Sequence, residues 1–313
     1  MKQTTRNVGS LSASPMAFVG AGVMGEAMIR GLLARNLLPP GLITATHPRP
    51  ERLETLAAQF HIQTAQDNRA AAAGADIVVL SVKPQVLARV LRELRGAVGP
   101  NTTILSVVAG VPIGVIVDAL RHPVVARCMP NTPAQIGEGM TVWTATPQVG
   151  SEQRGQIRAI LAALGEQLEV QDERYMDMAT AVSGTGPTYV FLLMEALIDA
   201  AVHLGFSRVD ARALVLYTVR GAALFAGRSS LHPAELRSLV TSPGGTSAAA
   251  IYQLEKGGMR TVVSKAVWAA FQRSVALGRE ARAARETAED GPAAEGGSPA
   301  PPMRSPGSVL TLP

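Results

Sequence analysis

Met16-Ala-Phe-Val-Gly20-Ala-Gly22-Val-Met-Gly25 joins a short apolar strand to a Gly-x-Gly-x-x-Gly turn and runs straight into the apolar spacing of a helix. That helix is expected over 22–38, stopping at Pro39-Pro40-Gly41. A glycine-rich turn alone carries little information, but a strand before it and a helix after it give each glycine a task. Gly20 allows the tight turn, Gly22 lets the backbone approach a pyrophosphate, and Gly25 lets helix and strand pack closely. Ala21, Val23 and Met24 fill the other positions of a turn whose helix N-terminus faces phosphate.

Working outward, strands are expected at 42–46, 75–82, 102–109 and 123–129, and helices at 52–60, 85–94 and 113–120. Strands alternating with helices at this spacing predict a Rossmann-type, doubly wound parallel sheet with right-handed crossovers, an α/β fold. After about residue 172 the β-branched runs nearly vanish, and helices are expected at 188–204, 209–225, 233–240, 246–256 and 260–279. The predicted organisation is a disordered leader over 1–14, a dinucleotide-binding domain over 15–172, an all-helical dimerisation and substrate domain over 173–280, and a disordered tail over 281–313 rich in Ala, Gly, Pro and Ser. Helix 188–204 is apolar on nearly every side except at Glu195, Asp199 and His203. Such a helix must be covered on several faces. A unit of about a hundred residues can hardly do that alone, which predicts an oligomer interface.

Composition narrows the function. The chain has 313 residues, 47% hydrophobic and 4% aromatic, with a net charge of +5 and no long Lys/Arg block. That argues against a nucleic-acid surface, where aromatics interleave with a basic stripe. Cys128 is the only cysteine, so an intramolecular disulfide and a cysteine zinc cluster are excluded and a reducing compartment is expected. Residues 1–14 lack the apolar core of a secretory signal, and the apolar stretch 104–120 is broken by Gly110, Pro112, Gly114 and Asp118. The expectation is a cytoplasmic protein without membrane or nucleic-acid partners.

Cofactor choice is read at the end of the second strand, where an NAD site usually places an acid. Here the sequence is Thr44-Ala-Thr46-His47-Pro48-Arg49-Pro50, with no acid before Glu51. Thr46, His47, Arg49 and Arg52 could instead donate to a 2′-phosphate, each charge-assisted contact being worth about 1.5–3 kcal/mol. NADPH is the expected cofactor and NADH the alternative; arginines that merely face solvent at a helix start would look the same. A second constellation, Ser242-Pro-Gly244-Gly245-Thr246-Ser247, opens helix 246–256. Its glycines leave successive N–H groups exposed and its hydroxyls stand beside them, a nest for a carboxylate. An ordinary N-cap with a glycine hinge is the competing reading.

Residues 239–255 (LVTSPGGTSAAAIYQLE) resemble the signature of pyrroline-5-carboxylate reductases, as do Val82-Lys83-Pro84-Gln85, Arg127-Cys-Met-Pro-Asn-Thr-Pro133 and Ser183-Gly-Thr-Gly-Pro-Thr-Tyr189. The four motifs keep the family's order, and the similarity spans about 16–280. The resemblance implies reduction of 1-pyrroline-5-carboxylate to L-proline with NADPH or NADH, in a homodimer that can associate into a ring of dimers. It also implies roles for particular residues. Gly20 to Gly25 would hold the pyrophosphate, and Asn68 would lie near the adenosine ribose. Val82, Lys83 and Pro84, with Val108, Ala109 and Gly110, would line the path to the nicotinamide, whose ring Asn131 would help place. Ser242, Gly244, Gly245, Thr246 and Ser247 would grip the substrate carboxylate, with the Ser247 hydroxyl at the ring nitrogen as the catalytic contact. The family usually carries Thr where this chain has Ser247, so the hydroxyl is kept and the methyl that fixes its rotamer is lost.

Other polar residues read more plainly. Glu195 and Asp199 share a helical face but lack further ligands, so no metal is expected. His203 suits local polar contacts, His232-Pro233 reads as a loop entering a helix, and Lys83 fits either a cofactor contact or a strand end. The rivals are a 3-hydroxyacid dehydrogenase, which would want a lysine or histidine early in the second domain where 183–189 supplies neither, another imine reductase, a cofactor-binding regulator without catalysis, and a nucleic-acid scaffold.

Overall fold

The computed structural model describes residue 11 and residues 13–289. Eight strands form one sheet: β1 Met16–Val19, β2 Ile43–Thr46, β3 Gln63–Ala65, β4 Ile77–Leu80, β5 Thr103–Ser106, β6 Val125–Met129, β7 Gly139–Ala145 and β8 Gly165–Glu169. Their order is β3-β2-β1-β4-β5-β6-β7-β8. The first six are mutually parallel, so the chain reverses direction across the sheet between β1 and β4. Ligands of such sheets bind outside the carboxyl ends of the strands at that switch point.

Side chains alternate between two cores along each strand. Met16 and Phe18 of β1 join the core containing Met28, Ile29, Leu32 and Trp143, while Ala17 and Val19 join the one containing Val78, Leu80, Leu91 and Ile116. Helices α1 Val23–Ala34, α2 Pro50–Phe60, α3 Asn68–Ala72, α4 Pro84–Leu94, α5 Ile113–Leu120 and α6 Ser151–Ala162 accompany the sheet. In α4 the buried set is Leu87, Val90, Leu91 and Leu94, the i, i+3, i+4, i+7 stripe of a helix with one wet face.

From Arg174 onward every element is helical: α7 Arg174–Ala179, a π-helical turn Thr180–Gly184, then α8 Gly186–His203, α9 Arg208–Arg228, α10 Pro233–Leu239, α11 Thr246–Lys256 and α12 Met259–Glu289. No residue of α8 is buried in the single chain. Phe191 is 59% exposed and Leu192 66%. By length and composition Arg174–His203 could also cross a membrane, so the apolar run that matters is this one rather than 104–120.

Several expectations change. The sheet is parallel-dominant rather than wholly parallel, because β7 runs antiparallel to β6. β3, β7, β8, α3, α6 and the short α7 have no counterpart among the expected elements. The expected disordered tail at 281 yields to α12, which continues to Glu289; residues 290–313 lie outside the described residues. Of the leader, Leu11 is buried in the first core and Ser14 accepts a hydrogen bond from Gln156 Nε2 at 3.2 Å, so those two residues belong to the packed unit. Residues 1–10 and 12 of the leader lie outside the described residues.

Candidate active site

Because β1 to β6 run the same way, the segments following them line one edge of the sheet. Gly20 sits there at φ +84, and a Cβ on it would come 2.3 Å from Val82 Cγ1. Only glycine fits. Gly25 packs against the next strand's end, since its Cβ would lie 2.8 Å from Ser81 Oγ. Gly22, by contrast, faces open space apart from one carbonyl at 3.9 Å. The turn is fastened from inside: Gly20 N and Ala21 N donate to Thr46 O at 3.2 and 2.8 Å, and Ser81 Oγ donates to Gly20 O at 3.1 Å. Gly20 and Ala21 therefore shape the loop. Gly22 is the N-cap of α1 without a side-chain cap, which leaves the first-turn N–H groups of Val23, Met24 and Gly25 directed at whatever anion lies beyond. Glu26 in that turn is neutralised by Arg30 and Arg52. This cradle fits a dinucleotide pyrophosphate.

At the end of β2 the predicted donors separate. Thr46 is 1% exposed, and its hydroxyl accepts from Gly20 N at 3.2 Å and donates to Asn68 Oδ1 at 2.6 Å. Both faces of β2 are covered and the Thr46 hydroxyl is already paired, so its assignment as a direct cofactor contact is corrected to support of the turn and of Asn68. Arg52 is likewise committed, to Glu26 and to Ala21 O at 3.4 Å. Arg49 remains exposed, with its backbone N–H donating to His47 Nδ1 at 3.1 Å. Burial, then the charge of Arg49, hold the His47 imidazole below its ordinary range. Asn68 opens α3, and its Nδ2 donates to Glu93 Oε2 at 2.7 Å.

On the other side of the switch point stand Val82, half-buried, and the exposed Lys83 and Pro84, which start α4. Ala109 is half-buried and Gly110, at φ +73, is pressed so closely by α12 that a Cβ would meet Leu277 Cβ at 2.7 Å. Asn131 accepts from Met140 N at 3.0 Å and donates from Nδ2 to Ser183 O at 3.3 Å, so it ties the end of β6 to the π-helical turn. Ser183 Oγ is buried without a partner among the described residues. Turns of this kind gather at functional sites.

Sequence reading missed the fastening between the two units. Arg127, with 4% of its side chain exposed, donates to Glu173 Oε1 at 2.9 Å and lies 3.8 Å from Asp177 Oδ1. Glu173 Oε1 also accepts from Ile113 N at 2.7 Å, capping α5, and Ser274 Oγ of α12 donates to Asp177 Oδ1 at 2.7 Å. A lone arginine inside the apolar strand VARCM was the available signal, because a buried guanidinium demands carboxylates. Its neighbour Cys128 is inert, since burial pushes the thiol far up.

The remaining predicted residues lie on the helical unit. Ser242-Pro243-Gly244-Gly245 forms a turn in which Gly245 N donates to Ser242 O at 3.0 Å, and Gly244 takes φ +71, the geometry that wants proline second and glycine third. Gly245 then caps α11 with no side chain across the helix end. The N–H groups of Thr246 and Ser247, with two hydroxyls, are left for an anion. Ser242, Gly244 and Thr246 are exposed and Ser247 is half-buried. Among the described residues no hydrogen bond or ion pair joins this turn to the sheet edge; α11 packs against α12. Within one chain the structure brings the nucleotide-edge residues together and leaves the 242–247 turn apart from them.

Sequence families and solved structures match this arrangement. The family described as pyrroline-5-carboxylate reductase dimerisation matches residues 173–277, and the family described as NADP oxidoreductase, coenzyme F420-dependent, matches residues 15–110. The pyrroline-5-carboxylate reductase of Pseudomonas aeruginosa is 43% identical over 86% of this chain and 99% of its own length. That of Arabidopsis thaliana is 36% identical over 83% of this chain and 94% of its own. Among solved structures, the pyrroline-5-carboxylate reductase of Coxiella burnetii superposes with a TM-score of 0.80 at 35% identity, covering 85% of this chain and 99% of that one. The Plasmodium falciparum pyrroline carboxylate reductase with NADP bound gives 0.78 at 30%, covering 86% and 99%.

Proposed function

The chain belongs to the pyrroline-5-carboxylate reductase family, and from that premise we propose how its own residues carry the reaction. It is an NAD(P)H-dependent oxidoreductase that reduces 1-pyrroline-5-carboxylate to L-proline, the last step of proline biosynthesis. The observation that carries the residue assignment is the presence of two uncapped helix N-termini, each opened by glycines and each suited to one of the two anions the reaction must hold.

The N-terminus of α1 holds the pyrophosphate through Val23, Met24 and Gly25 N–H, with Gly22 permitting the approach. Asn68 lies beside the adenosine ribose, and Arg49 draws in a 2′-phosphate; NADPH is preferred and NADH accepted. Val82 to Pro84, Ala109, Gly110 and Asn131 border the nicotinamide end. When bound, the reduced nicotinamide supplies the hydride. The α11 turn grips the substrate carboxylate by N–H groups and hydroxyls, and Ser247 Oγ accepts from the protonated ring nitrogen. A cyclic imine arrives carrying its proton, so its carbon takes the hydride and the π pair settles on nitrogen without an enzymic acid. The protein's task is to hold the two reactants at near-attack distance in a dry cleft.

We assign residues 15–172 to the nucleotide domain and 173–280 to the dimerisation and substrate domain. The apolar surfaces of α8 and α9 form a homodimer interface rather than a membrane span, and pairing of two chains brings the 242–247 turn to a nucleotide edge. Dimers associating into a ring, and a cytoplasmic location, complete the reading. Substrate-dependent loss of NADPH absorbance with stoichiometric proline, and slower turnover with NADH, is the expected result. Tight NADPH binding with no turnover of 1-pyrroline-5-carboxylate would move the residue roles to another imine.

A further inference from the structure

Where a Rossmann site usually carries an acid for the ribose hydroxyls, β2 ends in Thr46. A carboxylate nevertheless reaches the same neighbourhood from α4. Gly20 N donates to Thr46 Oγ1, Thr46 Oγ1 donates to Asn68 Oδ1 at 2.6 Å, and Asn68 Nδ2 donates to Glu93 Oε2 at 2.7 Å. The direction of this relay is forced. A carboxylate only accepts, so Asn68 must turn its NH₂ toward Glu93 and its carbonyl toward Thr46, whose lone pair is then free for Gly20 N–H. One remaining Nδ2 hydrogen and one remaining Oδ1 lone pair face whatever lies beside Asn68.

We propose that Glu93 is a cofactor-selecting residue: its carboxylate, presented through Asn68, favours a free ribose 2′-hydroxyl over a 2′-phosphate. The inference rests on the reading above that Asn68 flanks the adenosine ribose. A hydroxyl can donate to the relay; a phosphate monoester is mostly deprotonated at neutral pH and meets a like charge. Glu93 thus supplies from α4 the acid that β2 lacks, and it opposes the pull of Arg49. This pairing of an attractive and a repulsive element keeps NADH usable in a site whose strand end holds no acid. Arg89 Nε stands 3.5 Å from Glu93 Oε1, and Arg69 donates to the Glu93 backbone carbonyl at 3.1 Å. These cations offset part of the charge. With the carboxylate one side chain removed from Thr46 and in a partly wet site, its removal should change discrimination about three- to tenfold.

Glu93→Gln keeps an acceptor for Asn68 and deletes the charge. Steady-state kinetics with both cofactors should show the NADPH-to-NADH ratio of kcat/KM rising three- to tenfold, through KM, with kcat unchanged. Adenosine 2′,5′-bisphosphate should tighten relative to 5′-AMP in direct titration of the full-length variant. A ratio that stays within about twofold of the parent, or falls, overturns the proposal. Asn68→Ala, run in parallel, separates the two levels. Raised KM for both cofactors in that variant, with an unmoved ratio in Glu93→Gln, sinks the role of Glu93 alone. Unchanged KM for both in Asn68→Ala removes Asn68 from the ribose and takes the proposal with it.

Discussion

The two halves of this molecule solve the burial problem differently. Up to the end of β8, strands and helices enclose two continuous cores, with Phe18, Ile77, Leu80 and Trp143 wholly buried. Past the π-helical turn the described residues offer only Ala211, Val215 and Ser274 as buried side chains, while Phe191, Leu192, Tyr217 and Trp268 stand open. The lesson is one of ownership. The nucleotide unit possesses its core, whereas the helical unit leaves its apolar faces open in the single chain, in keeping with its match to a dimerisation family.

That contrast can be broken most severely at α8. Phe191→Asp puts a charge on the apolar face of α8 that we propose as the interface between chains, so sedimentation should find monomer and turnover should fall by at least about a hundredfold. NADPH titration should still saturate, because the nucleotide unit does not depend on the partner for its fold; loss of that binding as well would erase the distinction between the halves. The reciprocal lesion lies in the other unit. Gly20→Ala forces a Cβ into Val82 at positive φ, which should cost about 1–3 kcal/mol of stability and raise the KM for cofactor at least tenfold. Thermal melting and titration check both, and the oligomer should survive.

A smaller change sharpens the assignment of the 242–247 turn to substrate. Ser247→Ala should lower kcat/KM for 1-pyrroline-5-carboxylate about tenfold or more and leave cofactor affinity alone, the loss expected for one charge-assisted hydrogen bond. Ser247→Thr should retain activity. A sharp loss in the threonine variant with none in the alanine variant would reverse the role given to Ser247.

The least effect is expected at His47. With its pKa depressed by burial and by Arg49, the imidazole is neutral at pH 7 and adds no charge at the strand end. His47→Asn should therefore leave the NADPH-to-NADH ratio within about twofold at pH 7.5. The sign for stability follows from the same depression. The folded chain binds fewer protons there than the unfolded chain, so the contribution is complete above the unfolded value near 6.5 and is lost as pH falls through the lower folded one. In a pH series of melts the difference between parent and variant should stay constant above about pH 6.5 and shift against the parent at the acid end, where the half-buried imidazole must take up its charge beside Arg49.

The legible parts of the sequence were those where local and global demands agree. α5 and α11 take the spans that periodicity and flanking Pro or Gly mark out, Ile113–Leu120 and Thr246–Lys256. β8 was illegible because a charged edge strand, GEQLE, has no apolar signature. Its partner β7 depends on a glycine contact: Gly165 at φ +129 lies opposite Gly139, whose carbonyl a Cβ would approach to 2.2 Å. At the site, the glycine cradle announces itself by residue type. The commitments of Thr46 to Gly20 and of Arg52 to Glu26 do not, since each is a pairing made across the fold.

The open faces of α8 and α9 make protein concentration a variable of the enzyme's state. A helical unit without its partner gains the missing stability only by mass action, so its melting temperature should climb with the amount of chain present. Dilution then acts like a mild denaturant directed at one half of the molecule. If a second copy covers this surface, as proposed above, the interval of synthesis before that meeting is when the chain is most exposed to aggregation. How fast the chain is made thus belongs to the physics of this fold as much as its sequence does.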